Sequence, residues 1–178
     1  MSGGKLCGFA LAVLAALVPA VAIAGPASGA GPVRAVFRGV DFDISQGWRG
    51  AQSCVVFSRA QVRCYATYAE ADASLGYSPA ADPQVAALAA VPSCASGWLC
   101  LYADTSGQGR RLQFHDEYWQ YLSAYDFDRE TSSWRNNQGS SDPGALSLYN
   151  RTTAYPCVAN SYVLSMGSYD NQAYAVWA

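Results

Sequence analysis

The chain has little with which to move protons or attract anions. It carries one histidine, His115, and one lysine, Lys5, and its other ten cationic side chains are arginines. His115 stands beside Asp116 and Glu117 with no Ser or Cys nucleophile in a recognisable motif, so hydrolysis by a nucleophile and base has no scaffold here. A surface histidine between strands is the plain reading. Zinc would demand several Cys or His at ligand spacing, which is also lacking. No run of Lys or Arg interrupts a net charge of −2, and this removes the basic stripe that nucleic acid or an anionic membrane requires. Charged residues make up only 13% of the chain, too few for a polyelectrolyte tail. After the first two dozen residues, no apolar stretch approaches the roughly 18 residues of a membrane span.

What is present begins with a leader pattern. Lys5 precedes an apolar stretch at 11–18, and Ala22-Ile23-Ala24 supplies a small-x-small cleavage pattern before Gly25. Residues 1–24 therefore predict a secretory signal peptide and a secreted, extracellular protein with no membrane attachment after cleavage. Its removal would leave ten Arg against thirteen Asp and Glu, a net charge of 10 − 13 = −3. Five cysteines would remain, at 54, 64, 94, 100 and 157. Export makes disulfides their default state, and the odd count leaves one over.

The exported part is long enough for one full domain and a small appendage. Residues 25–33, rich in Gly and Pro, open a segment read as a flexible arm over 25–50. In the next unit, 51–77, a three-residue turn that pairs Phe57 with Gln61 sets Val56 opposite Val62 and Cys54 opposite Cys64, a disulfide-closed hairpin. Thr67 and Glu70 have capping-box spacing, and the alanine-rich run 68–75 predicts a short helix ending at Gly76. The prolines and alanines of 78–93 read as a linker with one helical turn near 85–89. Beyond Cys94, short aromatic and aliphatic runs at 98–103, 111–114, 131–135, 146–150, 162–165 and 174–177 alternate with turn residues. This spacing predicts an all-β sandwich or Greek-key domain over 94–178.

The strings CASGWLCLYADTSGQGRRLQF and YDFDRETSSWRNN resemble the secreted metalloproteinase-inhibitor family of streptomycetes, whose fold is βγ-crystallin-like. The resemblance covers about the last 85 residues, with Tyr102, Asp104, Gly107, Gly109, Arg110 and Arg111 matching its aromatic-to-glycine hairpin and following strand. It implies a βγ-crystallin-like Greek-key sandwich, no catalysis, and a protein partner, an extracellular peptidase. It also places Cys94 and Cys100 in the family's Cys-x5-Cys loop. With the hairpin this favours Cys54–Cys64 and Cys94–Cys100 among fifteen arrangements. Many relatives carry a Cys where this chain has Glu117, which leaves Cys157 either as a buried, inert thiol or as one arm of an intermolecular bridge. No inhibitor contact loop is assigned by the resemblance, and 151–160 and 104–109 stand as candidates.

Calcium sites of βγ-crystallins resemble Asn/Asp-Asn/Asp-x-x-Ser/Thr-Ser, a hard-oxygen donor set. Asp128 and Ser132 of the first half, and Asp170 and Asn171 of the second, are the candidate ligands. Arg129 occupies a ligand position in the first stretch, and both hydroxyls are lost from the second. No cofactor is therefore expected, with calcium at these degenerate sites left open. The acids Asp126, Asp128 and Glu130 read as a solvated turn in preference to a glycosidase pair. Gly107-Gln108-Gly109-Arg110 is a turn lacking the helix that a phosphate loop needs. The stretch Tyr118-Trp119-Gln120-Tyr121-Leu122 offers either a binding platform or core aromatics. Tyr118, Trp119, Tyr121, Tyr155 and Cys157 are the candidate partner contacts. Two further functions stay open: an adaptor subunit of an exported assembly, including an antibacterial toxin complex, and a calcium-stabilised carbohydrate or cell-wall binding module.

Overall fold

In a computed structural model of the protein, the described residues are Met1, 32–88 and 90–178. The expected signal peptide, apart from Met1, and the start of the arm at 25–31 lie outside them. Twelve strands and two short α-helices follow in the order β1 (Arg34–Phe37), β2 (Val40–Asp43), β3 (Ser53–Ser58), β4 (Gln61–Tyr65), α1 (Tyr68–Ser74), α2 (Pro83–Ala87), β5 (Leu99–Tyr102), β6 (Arg111–Phe114), β7 (Gln120–Tyr121), β8 (Ser133–Asn136), β9 (Gly144–Leu148), β10 (Tyr155–Cys157), β11 (Ser161–Val163) and β12 (Ala173–Trp177).

The strands form two sheets, ordered β11-β8-β5-β6-β3-β4-β1-β2 and β10-β9-β12-β7. Residues 99–136 and 144–177 are two four-stranded Greek-key motifs, and each gives its third strand to the other's sheet: β7 pairs with β12, and β11 pairs with β8. Each sheet is thus completed by a strand from the other motif. Between them, Leu99, Leu101, Leu112, Phe114 and Trp134 meet Leu146, Leu148 and Val176 with Leu122, Tyr125 and Phe127, all essentially buried. Alternation within each short strand assigns these residues to the inner faces.

The amino-terminal hairpin extends the larger sheet. β3 runs parallel to β6 with Cys54 opposite Leu112 and Val56 opposite Phe114. In β3 and β4, Cys54 faces Cys64 and Val56 faces Val62, while a register shift makes Ser58 the partner of Gln61, so the turn is one residue tighter than the sequence suggested. The arm expected over 25–50 needs correction from residue 34 onward. β1 and β2 close through Arg38 and Gly39, both at positive φ, and β1 pairs parallel to β4. Buried Phe42, Ile44 and Trp48 join the common core, and the Trp48 indole N–H donates to the Tyr125 carbonyl at 2.7 Å. Burying such side chains contributes about 2 kcal/mol each, enough to hold a segment whose turn lacks an Asn-Gly or Asp-Gly signal.

Helix α1 starts where its cap directs. The Thr67 hydroxyl accepts from Glu70 N–H at 3.1 Å, and the Glu70 carboxylate accepts from Ala66 N–H at 2.9 Å. Gly76, at φ +64°, follows the end of the helix. The segment expected as a linker, 78–93, carries α2 as its helical turn and lies against the outer face of the larger sheet, forming with α1 a strap over that face.

Candidate functional site

The strap is held by two arginines that point outward from the larger sheet and end up buried beneath it. Arg111 of β6 forms an ion pair with Asp72 of α1 at 2.7 Å, with the two side chains 0% and 3% exposed. It also donates to the Ser53 hydroxyl, the Ser93 carbonyl and the Tyr68 carbonyl. Arg135 of β8 pairs with Asp82 at 2.8 Å and donates to the Pro92 carbonyl at 2.9 Å. One guanidinium therefore ties both ends of the segment containing α2. Burial would raise the Asp82 carboxyl, but hydrogen bonds from Tyr77 and Arg135, with the arginine's charge, outweigh it and hold the group below its ordinary value. Burial and the same Asp82 contact push the Tyr77 phenol up to about 12. The disulfide Cys94–Cys100 closes the strap's far end, as Cys54–Cys64 closes the β3–β4 hairpin. Gly107 carries the neighbouring loop so close to the strap that a Cβ there would lie 2.4 Å from Pro92 Cβ.

The β10–β11 turn projects Val158, which is 57% exposed. Its flanks are fixed: Asn136 donates to the Cys157 carbonyl at 2.8 Å, and the Ser161 hydroxyl to the Val158 carbonyl at 2.7 Å. The Cys157 side chain is fully buried, and burial pushes its thiol well above the ordinary value. This corrects its place among the partner contacts and leaves it no access to an intermolecular bridge. Tyr155 is half-buried against Trp134 and Tyr169, with its exposed side under Arg151.

Tyr118, Trp119 and Tyr121 are exposed, while Leu122 is core. Trp119 meets Trp177 edge to face at 6.0 Å, and Tyr121 stacks with Tyr174 at 6.5 Å. Tyr174 in turn meets Tyr149 at 4.9 Å. Together they form an aromatic row on the outer face of the smaller sheet. Tyr149, Tyr174 and Trp177 were not singled out in the sequence; only the outward phase of β12, displaced by a bulge after Ala173, would have pointed to them.

The calcium candidates of the two halves come together at one contact. Ser132 and Asn171 meet at 3.5 Å, but the Asp128 carboxylate accepts from the Tyr149 hydroxyl, and Asp170 has one buried oxygen without a partner. Among the described residues no three acidic, His or Cys side chains cluster as a metal site. Arg110 binds both Asp126 and Glu130, at 2.9 and 2.8 Å. His115 Nε2 lies 2.9 Å from the Phe57 carbonyl and its ring packs on Trp98.

The exchanged third strands define the class, a βγ-crystallin-like Greek-key sandwich with an added amino-terminal hairpin. Three solved structures are similar to it. One belongs to work on the evolution of the eye-lens βγ-crystallin domain fold (13% identity, 48% of this chain and 87% of that one, TM-score 0.41). Another is a βγ-crystallin from Ciona intestinalis (17%, 46% and 98%, 0.36). A third is the N-terminal domain of Protein S (16%, 45% and 92%, 0.35). Residues 87–162 match the family described as peptidase inhibitor family I36. The matched stretch is 76 of the chain's 178 residues, and the family's description is of peptidase inhibitors. No curated protein matches the chain.

Proposed function

We propose that the protein is a secreted inhibitor of extracellular peptidases of the metalloproteinase type. The match over 87–162 carries this reading. Rigid loops support it, because a loop already fixed in place loses little further entropy on entering a cleft. Within the candidate stretch 151–160, Val158 is the exposed aliphatic side chain, and its neighbouring carbonyls are tied to Asn136 and Ser161. In this chain hydrogen bonds perform the pinning that a second cysteine would otherwise give to Cys157. The alternative stretch 104–109 is less available, since Gly107 packs against Pro92 and its N–H donates to Ser133.

The test is titration of thermolysin-like and subtilisin-like peptidases with the full protein. Inhibition of the metalloenzyme at micromolar concentration or below is expected, weakened by Val158→Asp. No inhibition of either class at that concentration removes the proposal.

A further inference from the structure

We propose that the outward side of the strap, centred on Leu88, is a second part of the peptidase contact and seats in an apolar pocket beside the one that takes Val158. This rests on the inhibitor reading above and extends its contact surface from the β10–β11 turn to α2.

The strap holds α2 in a way that packing does not explain. Residues 83–90, PQVAALAA, carry no charge. The five residues of α2 are too few for a helix to persist on propensity alone, and none of them is buried. The helix is held at its ends. Arg135 donates to the Asp82 carboxylate at 2.8 Å and to the Pro92 carbonyl at 2.9 Å, while Asp82 caps the helix by accepting from the Gln84 and Val85 N–H groups. Single exposed aliphatic side chains are ordinary on a protein surface. Here a buried ion pair fixes a segment whose own apolar side chains stay outside the core, with Ala86, Ala87 and Leu88 all exposed.

Leu88 is presented as rigidly as Val158. Its N–H donates to the Gln84 carbonyl at 3.1 Å, and its carbonyl accepts from the N–H of buried Val91 at 2.9 Å. A leucine whose backbone is tied on both sides loses little freedom when its side chain enters a pocket.

Gln84 joins this ridge to the turn. Its side-chain amide accepts from Arg135 at 3.2 Å and donates to the Asn160 carbonyl at 3.4 Å, two residues beyond Val158. Leu88 stands one helical turn past Gln84, about 6 Å along the axis. Leu88 and Val158, each 57% exposed, are therefore carried on two segments that touch and are both fixed. A cleft that receives extended peptide offers a row of side-chain pockets, and two neighbouring rigid aliphatic side chains can fill two of them.

The experiment compares inhibition of a thermolysin-like metallopeptidase by the full protein and by Leu88→Asp. The substitution should weaken inhibition about tenfold or more with the melting temperature unchanged, and titration to completion should give one peptidase per inhibitor. Hydrogen exchange supplies a readout free of any substitution, because the amides of 84–88 in the unaltered protein should exchange more slowly in the complex. Inhibition indifferent to Leu88→Asp overturns the proposal, as do strap amides that are not slowed. Two peptidases bound to one chain would overturn it too, by making strap and turn separate sites. Each of these results leaves the inhibitor reading standing, whereas no inhibition by the unaltered protein removes both.

Discussion

The two sheets of this protein share one core but treat their outer faces in opposite ways. The larger sheet turns two arginines outward and covers them with the strap formed by α1 and the segment containing α2. The smaller turns Trp177, Tyr174 and Tyr121 outward, the first two half-buried and Tyr121 64% exposed. A buried guanidinium is tolerable only with its carboxylate in place, so the covered face is committed to structure. The aromatic face holds no buried ion pair; its charged neighbours are Arg129 over the Tyr149 ring and Asp128 on the Tyr149 hydroxyl.

The comparison breaks most sharply at Asp72. Asp72→Ala leaves Arg111 buried and unpaired, and should cost about 3–5 kcal/mol in a denaturant titration; a loss under 1 kcal/mol would mean the strap is not held by that pair. A pH titration examines the neighbouring pair with a smaller effect. Asp82 is held below its ordinary value, so its ionised form favours the fold. That stabilisation is present above the unfolded carboxylate value, about 4, and is lost as pH falls through the lower folded value. Strap amides should exchange faster below that range in the wild type, and Asp82→Asn should lack this acid-dependent step; identical profiles would sever the link. The smallest effect belongs to the open face. Tyr121→Ala should change the melting temperature by no more than the equivalent of about 0.5 kcal/mol, and a larger loss would assign that ring to the fold.

Local signals were legible where one stretch of chain determines its own pairing. Cys54, Val56, Val62 and Cys64 display their facing in sequence, Thr67 and Glu70 announce the cap, and the run at 111–114 coincides with β6. The Greek-key class and the family resemblance were likewise visible in the carboxyl-terminal half. Missed elements depend on distant partners. β1 and β2 are four residues each, and their place is set by parallel pairing with β4 and by Trp48 reaching Tyr125. β7 is only two residues long and exists because β12 of the other motif accepts it. For the same reason the strap read as a linker: nothing within 78–93 reveals that Arg135, more than forty residues later, anchors Asp82 and Pro92.

Strand exchange between the motifs carries a lesson for dissecting the molecule. A chain severed between β8 and β9 yields an amino-terminal fragment that keeps β7 but has no β12 to dock it, and a carboxyl-terminal fragment whose β11 has lost β8. Neither fragment can complete its own sheet, yet each holds what the other lacks. Co-expressed halves should reassemble by complementation, and either half made alone should expose vacant edges and precipitate.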